Sequence, residues 1–174
     1  ALEFALNSNS PFALLLGNQL PEHNLYNSPK DNMYRWNMVT KAKVKEIALI
    51  SNSNLLVSCM DALKKDKHYV YVDVFNARSI KPLDKRMLEY IAQNYKSIIT
   101  VEDNLLQGGF GSAVLEHLSR YETIPEHFIS LGFDDIYVAH GSKESIYKKY
   151  SLDADGISEM INRIKVIKED KNAG

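Results

Sequence analysis

The chain has 174 residues, 45% of them hydrophobic and 25% charged, with a formal net charge of −1. That composition suits a water-soluble globular protein with one ordinary core, and its near-neutrality gives no footing for a nucleic acid or an anionic membrane as partner. No apolar stretch approaches the roughly 20 residues of a membrane-spanning helix.

In chain order, residues 1–6 read as the last turns of a helix. They lack an initiator Met and the basic start of a signal peptide, so we expect a fragment of a longer protein. A polar turn, Asn7-Ser8-Asn9-Ser10-Pro11, leads to the apolar run Phe12-Ala13-Leu14-Leu15-Leu16. From Gly17 a stretch rich in Asn, Pro and Ser has no period and reads as a linker or covering loop, residues 17–43. Tyr34 and Trp36 are expected to anchor its end on the domain that follows, residues 44–174.

There a regular alternation begins. Glu46–Ile50 reads as a strand, and Asn54–Lys65 as a helix with Ser53 as N-cap. Tyr69–Val74 is the next strand, and Asp84 caps a helix over Lys85–Tyr95 that turns Met87, Leu88 and Ile91 inward. Ser97–Val101 is β-branched and apolar, as in a strand buried on both faces. Glu102, Asp103 and Asn104 end it, and Gly108, Gly109 and Gly111 make a turn in which the backbone can take positive φ and approach a neighbour closely. A helix to about Arg120 follows, with Ala113, Val114, Leu118 and Tyr121 near one face. Glu126–Gly132 is a shorter strand suited to a sheet edge, and helices over Ser142–Tyr150 and Asp155–Lys168 close the chain. Such alternation implies an α/β fold with a mainly parallel sheet and helices on both faces.

The chemistry is sparse. A helix starting after glycines can hold an anion, but Gly109-x-Gly111-x-x-Val114 lacks the third small residue of a dinucleotide fingerprint, and no Gly-Lys-Ser/Thr follows. Glu102 and Asp103 stand where ligands of open α/β sheets bind and could do acid–base work, yet a lone doublet beside Asn104 more often caps a turn. Asp134 and Asp135 also read as turn residues.

His23, His68, His117, His127 and His140 show no i, i+4 pairing for a metal, and one cysteine cannot complete a zinc cage. His68 and His117 read as structural or exposed. His140, in Ala139-His140-Gly141-Ser142, either fixes a turn or handles protons. Cys59 reads as a small buried hydrophobe in a reducing compartment. No catalytic, cofactor-binding or metal residue is assigned. The loop residues Glu102, Asp103, Asn104, Gly108, Gly109, Gly111, Ser112 and His140 remain as candidates for a domain interface.

Four segments, in order, carry a resemblance. They are Phe75-Asn76-Ala77-Arg78-Ser79-Ile80-Lys81-Pro82-Leu83-Asp84; Val101–Asn104 with Gly108–Val114; Ala139–Ser142; and Tyr150-Ser151-Leu152-Asp153-Ala154-Asp155-Gly156-Ile157. Together they resemble the carboxy-terminal part of the 1-deoxy-D-xylulose-5-phosphate synthases, a branch of the transketolase family. The last block favours them over transketolases proper and the β-subunits of 2-oxo acid dehydrogenases. Residues 1–16 are similar to the end of that family's pyrimidine-binding domain.

The resemblance implies a three-layer αβα domain with a mostly parallel five-stranded sheet. It implies a piece of a homodimeric enzyme that uses thiamine diphosphate and Mg²⁺, both bound by upstream domains. Such an enzyme condenses pyruvate with D-glyceraldehyde 3-phosphate to 1-deoxy-D-xylulose 5-phosphate and CO₂, for isoprenoid precursor and thiamine biosynthesis in bacterial cytoplasm or a plastid. The piece itself is expected to be inactive. A non-catalytic subunit completing a transketolase-like enzyme encoded on separate chains is the alternative, and a stand-alone nucleotide-binding domain a third reading. One departure stands out. Where the family has Arg-Tyr-Pro-Arg-Gly, whose second arginine contacts the substrate phosphate, this chain has Leu14-Leu15-Leu16-Gly17. Either the phosphate clamp is lost, or the sequence joins two segments across a missing loop.

Overall fold

Runs of β-branched and apolar residues too short for helices set the strands, and apolar residues at helical spacing set the covering layers. The computed structural model describes residues 2–14, 33–52, 54–120 and 124–172, with side chains to residue 165 in the last stretch. The elements are α1 (Leu2–Leu6), β1 (Asn37–Met38), β2 (Ile47–Ser51), α2 (Leu55–Lys64), β3 (Val72–Asn76), α3 (Lys85–Asn94), β4 (Ser97–Leu105), α4 (Phe110–Leu118), β5 (His127–Phe133), α5 (Lys143–Lys149) and α6 (Ala154–Asn172).

The five strands form one sheet in the order β1-β3-β2-β4-β5. β1 runs antiparallel to β3, and every other pair is parallel. Alternate residues of each strand face opposite layers. Ile47, Leu49, Val72, Val74, Ile99 and Val101 pack with α2, Tyr147 of α5, and Ile157, Ile161 and Ile164 of α6. Ala48, Ile50, Phe75 and Ile98 pack on the other face with Leu88 and Ile91 of α3 and Phe110, Val114 and Leu118 of α4. This is the three-layer α/β architecture expected, with two separate apolar layers divided by the sheet.

Several local expectations hold. Asp84 caps α3 by accepting from Met87 N at 3.2 Å, and Ser142 caps α5 by accepting from Ser145 N at 3.2 Å. Cys59 is fully buried, and burial pushes its thiol pKa up to about 12. β5 forms a sheet edge.

Others need correction. His68–Val70 is a 3-10 turn, and β3 starts only at Val72. The turn is set by Lys67 in the left-handed region (φ 57°) and by His68, whose ring is held between Tyr71 Oη at 2.6 Å and Ser158 Oγ of α6 at 2.8 Å. Residues 37–38, read as linker, pair with β3 as the edge strand β1. The chain from 40 to 42 is then tied down by Asp73, which accepts from Ala42 N at 2.6 Å and from Tyr95 Oη at 2.6 Å. β4 continues past Val101 to Leu105 with a register break against β5. Asn54 precedes α2 without a side-chain capping bond, and the cap expected at Ser53 lies outside the described residues, as do His23 and Tyr121.

Candidate functional site

The sheet reverses its winding between β2 and β4. β2 connects through α2 to β3 on one side, and β4 connects through α4 to β5 on the other. In open α/β sheets the crevice at such a point, beyond the carboxyl ends of the strands, is where ligands bind. Ser51 ends β2 there and Glu102 follows Val101 on β4. Both are buried, Ser51 at 0% and Glu102 at 1% exposure, and Ser51 Oγ donates to Val101 O at 3.1 Å.

Glu102 decides what the crevice can do. Its Oε2 accepts from Phe110 N at 2.7 Å and its Oε1 accepts from Gly111 N at 2.8 Å. These are the first N–H groups of α4, the donors that an external anion would need. The helix end therefore already holds an anion, and that anion belongs to the chain. Charge-assisted bonds of this length, in a buried site, fix strand end to helix start.

The glycines serve this arrangement in different ways. Gly108 alone has the positive φ, +69°, with open space around it. A Cβ at Gly109 would run into Leu105 O and the Glu102 carboxylate. One at Gly111 would run into the hydroxyls of Ser130 and Thr100. Those hydroxyls bond each other at 2.9 Å beneath the helix. Two of the three glycines are thus there for close approach. Ser112 Oγ donates to Leu106 O at 2.6 Å and closes the loop behind them.

Asp103 points elsewhere. It accepts from Tyr147 Oη of α5 at 2.6 Å, and desolvation with this bond raises the Tyr147 pKa. Asn104 is exposed at the end of β4. His140 is exposed in the loop between β5 and α5, where Ile136 is 48% exposed and Tyr137 fully exposed. Ile136 N donates to Asp134 O at 2.7 Å, making the tight turn expected at the two aspartates. The structure thus joins Glu102 to Gly109 and Gly111 as one unit. Asp103 belongs to the α5 contact, and His140 lies in a separate exposed loop.

Sequence reading missed Thr100, Ser130 and Tyr147, whose partners lie 30 to 44 residues away. No local pattern announces such pairs. Among the described residues no three His, Cys, Asp or Glu side chains are placed to hold a metal ion. Phe110 N and Gly111 N, the first two donors of α4, are taken by Glu102 and are not free for an external anion. No helix among the described residues is long and apolar enough to cross a membrane.

Comparison with known proteins agrees with this architecture. The model of the family described as "Transketolase, C-terminal domain" matches residues 37–157. The chain is 35% identical over 173 residues to the 1-deoxy-D-xylulose-5-phosphate synthase of Clostridium kluyveri, covering 96% of this chain and 26% of that protein. It is 34% identical over 158 residues to the synthase of Aquifex aeolicus, covering 88% and 24%. The chain therefore spans about a quarter of the length of these relatives. Among solved structures, a "Split gene transketolase, inactive beta4 tetramer" superposes with TM-score 0.67 at 22% identity, over 76% of this chain and 42% of that one. The transketolase of Campylobacter jejuni superposes with TM-score 0.56 at 12% identity, over 79% and 20%. The two-sided sheet, the self-capped glycine turn and the match over residues 37–157 lead to one conclusion: the chain belongs to the transketolase C-terminal domain family.

Proposed function

We propose that the chain is the carboxy-terminal region of a 1-deoxy-D-xylulose-5-phosphate synthase and acts as its docking domain rather than its reactive centre. The observation that carries this reading is the pairing of near-complete coverage of this chain with coverage of about a quarter of each synthase, 96% against 26% for Clostridium kluyveri. The crevice supports it, because Glu102 already occupies the first two N–H groups of α4 that a cofactor phosphate would use.

On this reading thiamine diphosphate and Mg²⁺ would be held by the upstream domains, where the cofactor would serve as the electron sink for pyruvate decarboxylation. The whole enzyme joins that two-carbon unit to D-glyceraldehyde 3-phosphate. It works as a homodimer in bacterial cytoplasm or a plastid and feeds isoprenoid and thiamine synthesis. Residues 1–16 end the pyrimidine-binding domain, 17–43 lead across, and 44–174 form the carboxy-terminal domain. The loops carrying Asn104, Gly108 and His140 face the upstream domains, while Glu102, Gly109, Gly111 and Ser112 keep those loops in shape. Leu15–Gly17, where the relatives' phosphate-binding arginine would fall, lie outside the described residues.

The test is turnover. The chain alone, given pyruvate, D-glyceraldehyde 3-phosphate, thiamine diphosphate and Mg²⁺, is expected to release no CO₂. Added to a polypeptide carrying the upstream domains, it is expected to restore product formation. Turnover by the isolated chain overturns the reading. Copurification from its host with a separate chain that carries the diphosphate-binting half would instead favour the split-enzyme alternative.

A further inference from the structure

A second concavity, of about 470 Å³, lies away from the glycine turn, between the edge strand β1 and the first turns of α3. It is an open groove with a mainly apolar lining, not an enclosed cleft. Arg35 and Met38 form the strand wall, Arg86, Met87 and Tyr90 the helix wall, and Trp36 the floor. Arg86 and Tyr90 are four residues apart on α3 and therefore share a side of that helix.

Asp84 builds the groove. Its Oδ1 accepts from Arg35 Nη1 at 3.0 Å and from Met87 N at 3.2 Å, and its Oδ2 accepts from Trp36 N at 2.9 Å. Both carboxylate oxygens are committed and the side chain is 3% exposed, so Asp84 holds the walls together without presenting charge to the opening. Trp36 Nε1 donates to Ser79 O at 2.8 Å and the residue is 3% exposed, which fixes the floor.

The cations are less committed. Arg35 keeps 41% of its side chain exposed beyond its one bond to Asp84. Arg86 is exposed and makes no ion pair among the described residues. Lys45 reaches the same wall, donating to Tyr90 Oη at 2.9 Å with its ammonium 5.0 Å from the ring centroid. The opening thus sets two cations, Arg35 and Arg86, beside one buried carboxylate, over a surface of phenol and two thioethers, with Lys45 outside its lining. Thioethers adapt to irregular apolar shapes, and a guanidinium fork matches a carboxylate or phosphate.

We propose that this groove binds an amphiphilic small anion. Its apolar chain or ring lies over Met38, Met87 and Tyr90, above the buried Trp36, and its carboxylate or phosphate head meets Arg35 and Arg86. Trp36 is the sole tryptophan of the chain, so its fluorescence reports on the floor directly.

The test titrates the folded chain with octanoate and with octyl phosphate below their micelle concentrations, beside octanol and inorganic phosphate. A saturable change in Trp36 emission is expected with an octyl anion, and the head that binds more tightly identifies the source of the charge. Octanol and inorganic phosphate are each expected to bind at least tenfold more weakly, since each lacks half of the match. Arg86→Ala removes an exposed side chain that makes no ion pair among the described residues, and it is expected to weaken the octyl anion about tenfold, one charge-assisted contact. Methyl NMR shifts of Met38 and Met87 locate the ligand independently of Trp36. The proposal is overturned if neither octyl anion saturates, if octanol binds as tightly, or if Arg86→Ala leaves affinity unchanged.

Discussion

Removing the Glu102 carboxylate is the most direct perturbation of the glycine turn. Glu102→Ala deletes the bonds to Phe110 N (2.7 Å) and Gly111 N (2.8 Å) at a position only 1% exposed. A hydrogen bond to a charged group contributes about 1.5–3 kcal/mol, and a buried donor left unpaired costs about 1–3 kcal/mol. The two bonds share one helix end and are not additive, so a loss of about 3–5 kcal/mol is expected. That is a third or more of the total stability of many domains. Glu102→Gln keeps the volume but offers one acceptor to two donors, and about half that loss is expected.

Urea unfolding followed by circular dichroism measures the loss, and amide exchange at Phe110 and Gly111 locates it. The freed helix end should also acquire what the parent lacks, so millimolar phosphate should stabilise Glu102→Ala and leave the parent unchanged. If Glu102→Ala unfolds within 1 kcal/mol of the parent with both amides still protected, the self-capping account is wrong.

Gly111→Ala should destabilise by about 1–3 kcal/mol in thermal unfolding, because its methyl meets the Ser130 and Thr100 hydroxyls; overpacking there outweighs the helical preference of alanine. Equal or greater stability would refute that crowding. Burial lowers the His68 pKa, so the unfolded chain takes the proton first. Stability present above about pH 6.5 is then lost as pH falls toward the folded-state value, a loss that His68→Asn should flatten in urea midpoints between pH 7 and 5. Parallel pH profiles for the two proteins would contradict it. Cys59, fully buried with its thiol pushed up to about 12, should resist iodoacetamide at pH 8 in the folded chain and react once urea unfolds it. Labelling of the native chain at the rate of a free thiol would argue against its burial.

What was legible in the sequence follows from the range of the forces. The parallel strands and their helices were readable because Ile47–Ile50 and Ser97–Val101 carry their burial in local composition, and Asp84 and Ser142 carry their caps within three residues. The turn at His68 was not readable. Tyr69, Val70 and Tyr71 have the composition of a strand, and the bond to Ser158, ninety residues on, overrides it. β1 is two residues long, and nothing but its pairing with β3 defines it. At the glycine turn the position was legible and the reason only partly. Positive φ explains Gly108, while Gly109 and Gly111 answer to side chains from other elements. The role of Glu102 depends on a helix eight residues away turning back over its own strand.

The division of the interior by the sheet bears on how the chain is born. The layer under α3 and α4 has its last fully buried member at Leu118, with Phe128 added from β5 soon after. The opposite layer waits for Ile157, Ile161 and Ile164. Synthesis runs from the amino end at about 5–20 residues per second, so for several seconds a nascent chain presents one finished side and one bare side of Ile, Leu and Val. During that interval the ribosome's neighbourhood, and whatever chaperones attend it, must keep the unfinished side from sticking. Residues that latch the last helix, His68 and Ser158 among them, end that exposure.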